Sequence, residues 1–459
     1  MKKFKQLVMA FLVGVVSFGF TACDDNNNDV EFELPEVGQA TVNVSSSDKE
    51  MQKVAKVYVN QVVYPTYQAL AANARTLYTT TAALYTAAEA GTMTQAQIDA
   101  ACEAFKDTRR EWERSEAFLY GSASDNELDP HIDSWPLDQT QLAEALTSAA
   151  VIAGITGENP ARFVYTSNGQ FDSTMGFHGL EFVLFRNGQN RTLDAFMAEY
   201  ETGDGLNQEG DDWQDNQSKL RTVKTTQEAA FAAAVAGDLH NMTTLLAYEW
   251  TADATLKNYL TTSANWVIEG TRYKGLTKDG VSYSEAVKSV GLTTSLFVSW
   301  PVNLQNIFKG GCSSISQEVY TQKLGQAYRV ATGHPEVGEE GEDAGDYIES
   351  PYSKRSFQDY QDNIYSIKNS LYGTRDVNAT SPAEHSLLNL LKTMNYSGLN
   401  DLTAALNNAI QALETAKNSG KAFVEDPGAQ HVKDCIDAVS ALDEELNKAG
   451  NWVNMQEAL

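Results

Sequence analysis

Apolar residues recur at helical spacing through most of this chain. Near the C-terminus, a stripe at i, i+3, i+4, i+7, i+10 and i+14 is formed by Val432, Cys435, Ile436, Val439, Leu442 and Leu446. This spacing places all six on one side of a helix. Residues 51–90 are rich in Ala, Leu, Tyr and Val, and Pro65 is their one strong helix breaker. Because regular strand alternation is confined to short pieces, the pattern predicts an all-α fold.

Capping signals place several helix ends. Thr94–Gln97 matches a capping box and predicts a helix that ends near Gly121. Ser381–Glu384 is a second box, with a proline in its first turn. A further long helical region is predicted over residues 226–262. Helices of these lengths are typical of bundles.

The chain is long enough for more than one bundle. With 459 residues, it has room for about two to three domains of ordinary size. Residues 58–63 and residues 360–365 open similar segments of the two halves, which suggests a degenerate duplication. We therefore expect two helical-bundle domains, at 48–235 and 236–459.

The N-terminus reads as an export signal. Residues 1–22 combine three lysines with an apolar run from Leu7 to Phe20, which is typical of a signal peptide and short for a membrane span. Phe20–Cys23 resembles a bacterial lipobox, so Cys23 is the predicted lipidation site; an ordinary signal peptide with an incidental cysteine is the alternative. Residues 23–47 then form a polar tether. We expect a cell-envelope protein anchored to the outer membrane by its N-terminal lipid.

Charge and cysteine content argue against several classes of protein. Lys and Arg total 34 against 61 Asp and Glu, a formal charge of -27. This balance disfavours nucleic acid and direct adsorption to anionic lipid, since both need excess positive charge. Four cysteines are too few for a disulfide scaffold. Of the three beyond the lipobox, Cys312 and Cys435 form the expected pair, with three buried thiols as the alternative.

The candidate chemistry lies in the first half. In residues 174–185 (TMGFHGLEFVLF), a helix would place His178 and Glu181 on one face. The surrounding residues are apolar almost all round, so both side chains are expected to be buried and to need partners. Glu116 lies one turn beyond Trp112, and Asp133 precedes a Trp-Pro turn. Taken singly, each of these two carboxylates is better explained as a helix cap or a partner of an arginine than as a site residue.

Together these segments resemble a known family. WERSEAFLYG, IDSWPLD and GFHGLEFVLF, in this order, are similar to motifs of the imelysin family, whose hallmark GxHxxE is present at residues 176–181. The resemblance implies two helical domains with a site at their interface and an association with iron uptake. It also implies a metal-ligand set of Glu116, Asp133 and His178, to which Glu181 of the motif is added. Residues 64–68 contain no counterpart of the glutamate that relatives carry on their first long helix.

The second half contributes candidates through the same resemblance. Residues 350–357 (SPYSKRSF) resemble the family's C-terminal half and place Ser353, Arg355 and Asp359 before a long helix. They are expected to reach the shared cleft, with a helix cap and surface charges as the alternative.

Three functions remain open at this point. The first is a binding protein for iron, zinc or an iron-bearing ligand, working with uptake-system proteins, because an imidazole with carboxylates suits such cations. The second is a metallopeptidase, although a zincin needs a second histidine in HExxH or HxxEH and Phe182 follows Glu181 here. The third is a structural envelope lipoprotein whose polar cluster fixes packing.

Overall fold

Helices form nearly all of the regular structure. The computed structural model describes residues 45–458 apart from 168–170, 172, 199–212, 265–279, 293–294 and 339–340. The predicted signal peptide, Cys23 and all but the end of the tether lie outside the described residues. The described α-helices span Ser46–Val57, Tyr64–Glu89, Gln95–Glu113, Ser122–Asp125, Asp129–Ile132, Gln139–Thr147, Ala149–Ile155, Pro160–Thr166, Gly176–Leu184, Leu193–Met197, Trp213–Leu220, Thr225–Thr251, Ala254–Asn258, Tyr283–Lys288, Trp300–Asn306, Ser314–Glu318, Gly325–Ala331, Ser356–Tyr372, Leu387–Thr393, Leu399–Lys417 and Gln430–Asn454.

Other regular elements are short. π-Helical segments span Tyr58–Val63, Tyr259–Ser263, Ile307–Ser313 and Val319–Lys323, and 3-10 turns span Glu116–Phe118, Phe423–Glu425 and Met455–Ala458. Two antiparallel hairpins pair Phe185–Arg186 with Gln189–Asn190 and Val337–Gly338 with Gly341–Glu342. The predicted all-α fold is confirmed.

The N-terminal capping box is confirmed, but its helix is shorter than predicted. The Thr94 N–H donates to Gln97 Oε1 at 2.9 Å, and the helix runs from Gln95 to Glu113 rather than to Gly121. The chain turns because Ser115 donates its N–H and its hydroxyl to the Trp112 carbonyl, each at 2.7 Å. This turn starts the 3-10 segment that holds Glu116.

The second capping box does not open a helix. The helix in that region begins at Leu387, where the Ser386 hydroxyl accepts from the Asn389 N–H at 3.2 Å. The Ala383 N–H donates instead to the Tyr372 carbonyl at 2.8 Å. This bond ties the residues after Ser381 to the end of the preceding helix, so they form turns.

The core is built around the helix Thr225–Thr251, called here the central helix. Its residues from Glu228 to Trp250 are all buried, and it packs along the helix Tyr64–Glu89. The chain from Ser45 onward forms one compact unit. The predicted boundary at 235/236 falls inside the central helix, and a division into two duplicated domains stays a prediction.

The structure also bears on the predicted disulfide and on membrane-spanning helices. Cys102, Cys312 and Cys435 are free, buried thiols, so the expected Cys312–Cys435 disulfide is wrong. Burial raises the pKa of the Cys312 thiol to about 12, while its hydrogen bond with Ser370 opposes that rise. Within the described residues, no helix combines the length and the apolar character that a membrane crossing requires.

Candidate functional site

His178 lies at the start of a fully buried helix. The helix Gly176–Leu184, called here the motif helix, is buried at every position, as its apolar sequence predicts. His178 Nε2 lies 2.9 Å from Asp133 Oδ1, and the imidazole ring packs against Trp135 with ring centroids 4.4 Å apart. Nε2 has no aligned hydrogen-bond partner in the described part of the chain. His178 and Asp133 are therefore in close contact, but their atoms are not aligned as a directed hydrogen bond.

Asp133 is held by two residues of the helix Gln95–Glu113. The Trp112 indole N–H donates to Asp133 Oδ2 at 2.8 Å, and the Arg109 guanidinium forms an ion pair with Oδ1. Burial opposes ionisation of Asp133, but Arg109 and His178 outweigh it and hold its pKa well below the usual range. Asp133 is therefore an anion that orients the imidazole.

Arg109 is the centre of a larger buried charge network. Its Nε lies 2.5 Å from Glu113 Oε1 and 3.7 Å from Asp359, and Nη2 lies 3.4 Å from Glu349. The guanidinium carbon also stands 5.0 Å from the centre of the Phe177 ring. Its side chain is 1% exposed, and several carboxylates are needed to balance a charge so far from water.

Glu181 faces the second half of the chain. Its Oε1 accepts from the Ser353 N–H at 2.7 Å and from the Ser353 hydroxyl at 2.6 Å. Its Oε2 is buried and has no hydrogen-bond partner among the described residues. Burial raises the pKa of Glu181, although the Ser353 hydrogen bonds and His178 oppose that rise. The structure thus joins Ser353 to the motif helix.

A strained loop presents Ser353 and its neighbours. Ser350 and Lys354 adopt φ values of 53° and 54°, a left-handed conformation that is unfavourable for residues other than glycine. The Ser350 hydroxyl donates to Asp359 Oδ2 at 2.5 Å. Arg355 Nε lies 3.6 Å from the other oxygen of Asp359. Burial raises the pKa of Asp359, opposed by Arg355 and Arg109.

Glu116 is buried in a neighbouring group of charges. Its side chain belongs to the 3-10 turn Glu116–Phe118 and is 7% exposed. Burial raises its pKa well above the usual value; Lys323 opposes this, and Glu113, Glu318 and Asp129 add to it. The predicted sharing of one ligand set by Glu116 and His178 stays a prediction.

Several important residues were missed by sequence reasoning. Arg109, Glu113, Lys323 and Glu349 are all buried in this network. One local signal was present for Arg109, since it stands on the same helix face as Trp112 and Glu113 at i+3 and i+4. Lys323 and Glu349 lie in segments without a comparable pattern.

Four other histidines make separate contacts. His131 pairs with Asp238 at 2.6 Å, His385 pairs with Glu50 at 2.5 Å, and His240 and His431 pack against Tyr259 and Phe357. No second histidine joins His178 in the described part of the chain. In that same part, no three Asp, Glu, His or Cys side chains are arranged to hold a metal ion directly.

Sequence comparison assigns the family. The profile of the Imelysin family matches residues 63–446. The chain belongs to the Imelysin family. Iron-regulated protein A of Synechococcus elongatus is 32% identical over 128 residues, which cover 28% of this chain and 30% of that protein. The match to this curated relative thus spans less than a third of its length.

Solved structures show the same imelysin fold. A protein described as an iron-regulated protein A precursor from Parabacteroides distasonis aligns with a TM-score of 0.66 at 22% identity, covering 89% of this chain and 96% of that one. An Imelysin-like protein from Psychrobacter arcticum aligns with a TM-score of 0.50 at 12% identity, covering 88% and 94%. At these identities the likeness concerns the fold alone.

Proposed function

We propose that this imelysin is a cell-envelope lipoprotein that binds iron, or a ligand that carries iron, in iron uptake. Its binding site is the polar group around His178 and Glu181. The names of two similar proteins support a role connected with iron: iron-regulated protein A from Synechococcus elongatus, and a protein described as an iron-regulated protein A precursor from Parabacteroides distasonis.

One observation favours a ligand site over a purely structural cluster. His178 Nε2 and Glu181 Oε2 are both buried, and both are without a hydrogen-bond partner in the described part of the chain. They project from one face of the motif helix, one turn apart. Buried polar atoms are ordinarily hydrogen-bonded, so an unpartnered Glu181 oxygen beside an imidazole nitrogen whose close contact is Asp133, at 2.9 Å, points to a missing ligand.

The donor atoms of the described residues form part of the ligand set that a cation such as iron or zinc needs. An imidazole nitrogen and a carboxylate oxygen suit iron or zinc. Ser353 fixes Glu181 Oε1 and leaves Oε2 for the ligand, while Arg109 and Trp112 hold Asp133 in place. The described side chains supply one unpartnered oxygen and one nitrogen that already contacts Asp133, rather than a complete ligand set. An iron-bearing ligand that brings donors of its own therefore fits as well as a bare ion.

Iron binding is testable by titration at equilibrium. We expect Fe(II), titrated anaerobically into the mature protein, to bind at about one equivalent, and His178→Ala/Glu181→Ala to weaken binding by about 100-fold or more. The His431→Ala/Asp434→Ala variant changes residues at the same spacing elsewhere and is the matched control. Equal binding by wild type and the His178/Glu181 variant would overturn the proposal.

The affinity for iron is expected to fall at low pH. Burial raises the pKa of Glu181, so this carboxylate takes up its proton at a higher pH than an exposed glutamate. A cation must displace that proton to use Oε2. Titrations at pH 7.5 and at about pH 5 should therefore show weaker binding at the lower pH.

Lipidation of Cys23 is the second part of the proposal. The lipobox-like sequence and the polar tether that follows support it, and an acidic stretch directly after Cys23 fits export toward the cell surface. Cys23→Ser should shift the protein from the outer-membrane fraction to the soluble fraction, and Thr21→Ser, a mild change in the same segment, should not. Unchanged fractionation of Cys23→Ser would contradict the anchor.

A further inference from the structure

One loop carries several large apolar side chains on its outer surface. In the described part of the chain, Leu292, Leu296 and Val298 are 64%, 46% and 82% exposed. They belong to the connection between the helices Tyr283–Lys288 and Trp300–Asn306. Exposed apolar side chains that lie together are typical of a surface that contacts another molecule or a membrane.

The backbone of this loop is held by its own hydrogen bonds. The Gly291 N–H donates to the Phe297 carbonyl at 3.2 Å, and the Ser295 N–H donates to the Leu292 carbonyl at 3.0 Å. The Ser295 hydroxyl donates to the Phe297 carbonyl at 2.9 Å. The ring of Phe297 is half-buried and packs against the core. The loop therefore has a defined conformation in which Phe297 packs inward while the two leucines and Val298 remain exposed.

The loop differs from the rest of the chain in charge. No charged residue occurs between Lys288 and Lys309, although 21% of the whole chain is charged and its net charge is -27. The loop itself thus carries no acidic side chain that lipid phosphates would repel. An apolar contact with a bilayer does not need the excess of positive charge that adsorption to anionic lipid requires.

The loop lies beside the helix that follows the predicted tether. The helix Ser46–Val57 packs against Tyr283–Lys288 and against Trp300–Asn306, which are the two helices that the loop joins. A helix of 12 residues is about 18 Å long. The point where the tether joins the folded unit therefore lies within about that distance of the helices that carry the loop.

The length of the tether favours contact between this side of the folded unit and a bilayer. About 22 residues separate Cys23 from Ser45, and an unstructured linker of that length spans about 25 Å on average. A folded unit of about 400 residues is about 55 Å across. A lipid on Cys23 would therefore hold the side that carries Ser45 nearest to the membrane.

We propose that Leu292, Leu296 and Val298 form a membrane-contact loop, which enters the interface of the bilayer in which Cys23 is anchored. This inference rests on the proposed lipidation of Cys23, because the anchor brings the loop to the lipid surface. The three side chains lie at the boundary between headgroups and acyl chains, where their apolar surface is removed from water. With the anchor as one attachment and the loop as a second, the folded unit has a fixed orientation on the membrane.

Vesicles that contain a maleimide lipid test the contact without lipidation in the cell. The mature chain, residues 23–459, is coupled through Cys23 to phosphatidylcholine vesicles, since its three other cysteines are buried. Leu296→Trp places an indole in the loop, and the emission of the wild-type protein is subtracted. We expect brominated phosphatidylcholine to quench the added emission by about half or more, because interfacial side chains lie about 5–10 Å into the headgroup boundary. Leu292→Trp is a second reporter that keeps the test valid if Leu296→Trp folds poorly.

A reporter on another exposed apolar residue makes the result specific. Val337 is 78% exposed in the strand Val337–Gly338, so the emission added by Val337→Trp should be the same in brominated and ordinary vesicles. Added emission from Leu296→Trp and Leu292→Trp that is quenched no more than that from Val337→Trp overturns the membrane-contact loop.

A second copy of the chain is the competing occupant of this surface. We expect the mature Cys23→Ser protein, without vesicles, to sediment as the same species as its Leu292→Ser/Leu296→Ser variant. A dimer that dissociates in this variant would overturn the proposal, since the apolar surface would then lie between two copies. Because the maleimide supplies the anchor, absence of quenching contradicts the loop alone, whereas fractionation of Cys23→Ser in cells tests the lipid anchor.

Discussion

Two glycines bring the motif helix against backbone carbonyls. A Cβ at Gly176 would lie 2.0 Å from the Ile132 oxygen, and a Cβ at Gly179 would lie 2.0 Å from the Thr174 oxygen. Gly176 also has a φ of 70°, which residues with a side chain rarely adopt. Because Ile132 precedes Asp133, the close approach at Gly176 helps to set the distance between Asp133 and His178. Gly176 of the family motif and the neighbouring Gly179 are thus required by packing.

A methyl group at Gly176 should therefore be costly. We expect Gly176→Ala to lower the free energy of unfolding by about 3 kcal/mol or more, because it adds a backbone clash to an unfavourable φ. Gly333→Ala is the matched control, since Gly333 has a φ of 77° with nothing within 4 Å of its Cβ position. Its loss should be about 1 kcal/mol. Equal losses in urea denaturation of the two variants would show that the clash is relieved elsewhere.

The Ser353 hydroxyl should stabilise the fold through Glu181. Ser353→Ala removes one of two donors to a buried carboxylate oxygen, so we expect a loss of about 2 kcal/mol in the free energy of unfolding. Ser124→Ala deletes a hydroxyl that donates to a carbonyl in an exposed position, and its loss should stay below about 0.5 kcal/mol. Chemical denaturation measures both, and a Ser353→Ala loss no larger than that of Ser124→Ala would rule out this contribution.

The structure agrees with the sequence pattern for features that depend on residues close together in the chain. The apolar flanks of His178 and Glu181 predicted that both are buried, and both are 1% exposed. The partners of these residues come from far along the chain, as with Ser353 and Glu181, 172 residues apart. Periodicity along one segment carries no information on such pairs. Arg109 was missed for this reason, since a charged residue on an amphipathic helix ordinarily faces water.

The prediction of helix ends from local sequence has the same limit. The Thr94 box and the Ser381 box have equivalent sequences, but only the first caps a helix. The difference lies in a tertiary constraint, because the residues after Ser381 are bonded back to Tyr372. A local capping signal predicts a helix start only where the surrounding chain leaves its donors free.

The central helix contains His240, and burial of this side chain opposes protonation of its imidazole. Burial and the neighbouring Arg75 lower the pKa of His240 to about 4. The unfolded chain, with a histidine pKa of about 6.5, therefore binds this proton more readily than the folded chain over the range between the two values. Stability that is fully present above pH 6.5 is lost progressively as the pH falls toward 4.

This loss predicts a pH-dependent free energy of unfolding. We expect His240 to account for up to about 3 kcal/mol of the decline between pH 7 and pH 4. His240→Gln should flatten the profile by that amount, and His334→Gln, at an exposed position, should leave it unchanged. Denaturation at a series of pH values decides between them, and parallel profiles for wild type and His240→Gln would refute the assignment.

The central helix also bears on whether the two halves are independent. It is buried on every side from Glu228 to Trp250, and the predicted boundary at 235/236 would divide it. A break there leaves each fragment with an apolar helix end that the other fragment covers. Exposed apolar surface of this kind lowers stability by about 25 cal/mol for each Å², and the charge network around Arg109 would be divided as well, since Glu349 and Asp359 lie beyond the break.

We therefore expect fragments 45–235 and 236–458, expressed separately, to lack a cooperative thermal transition by circular dichroism. As a control, a protease site placed at Val337–Gly338, a strand with no buried residue, should allow cleavage without loss of the transition. The two products of this cleavage should elute together on gel filtration. If fragment 45–235 instead unfolds cooperatively, with helix content like that of the intact chain, the first bundle is an independent domain and the boundary predicted from sequence is right.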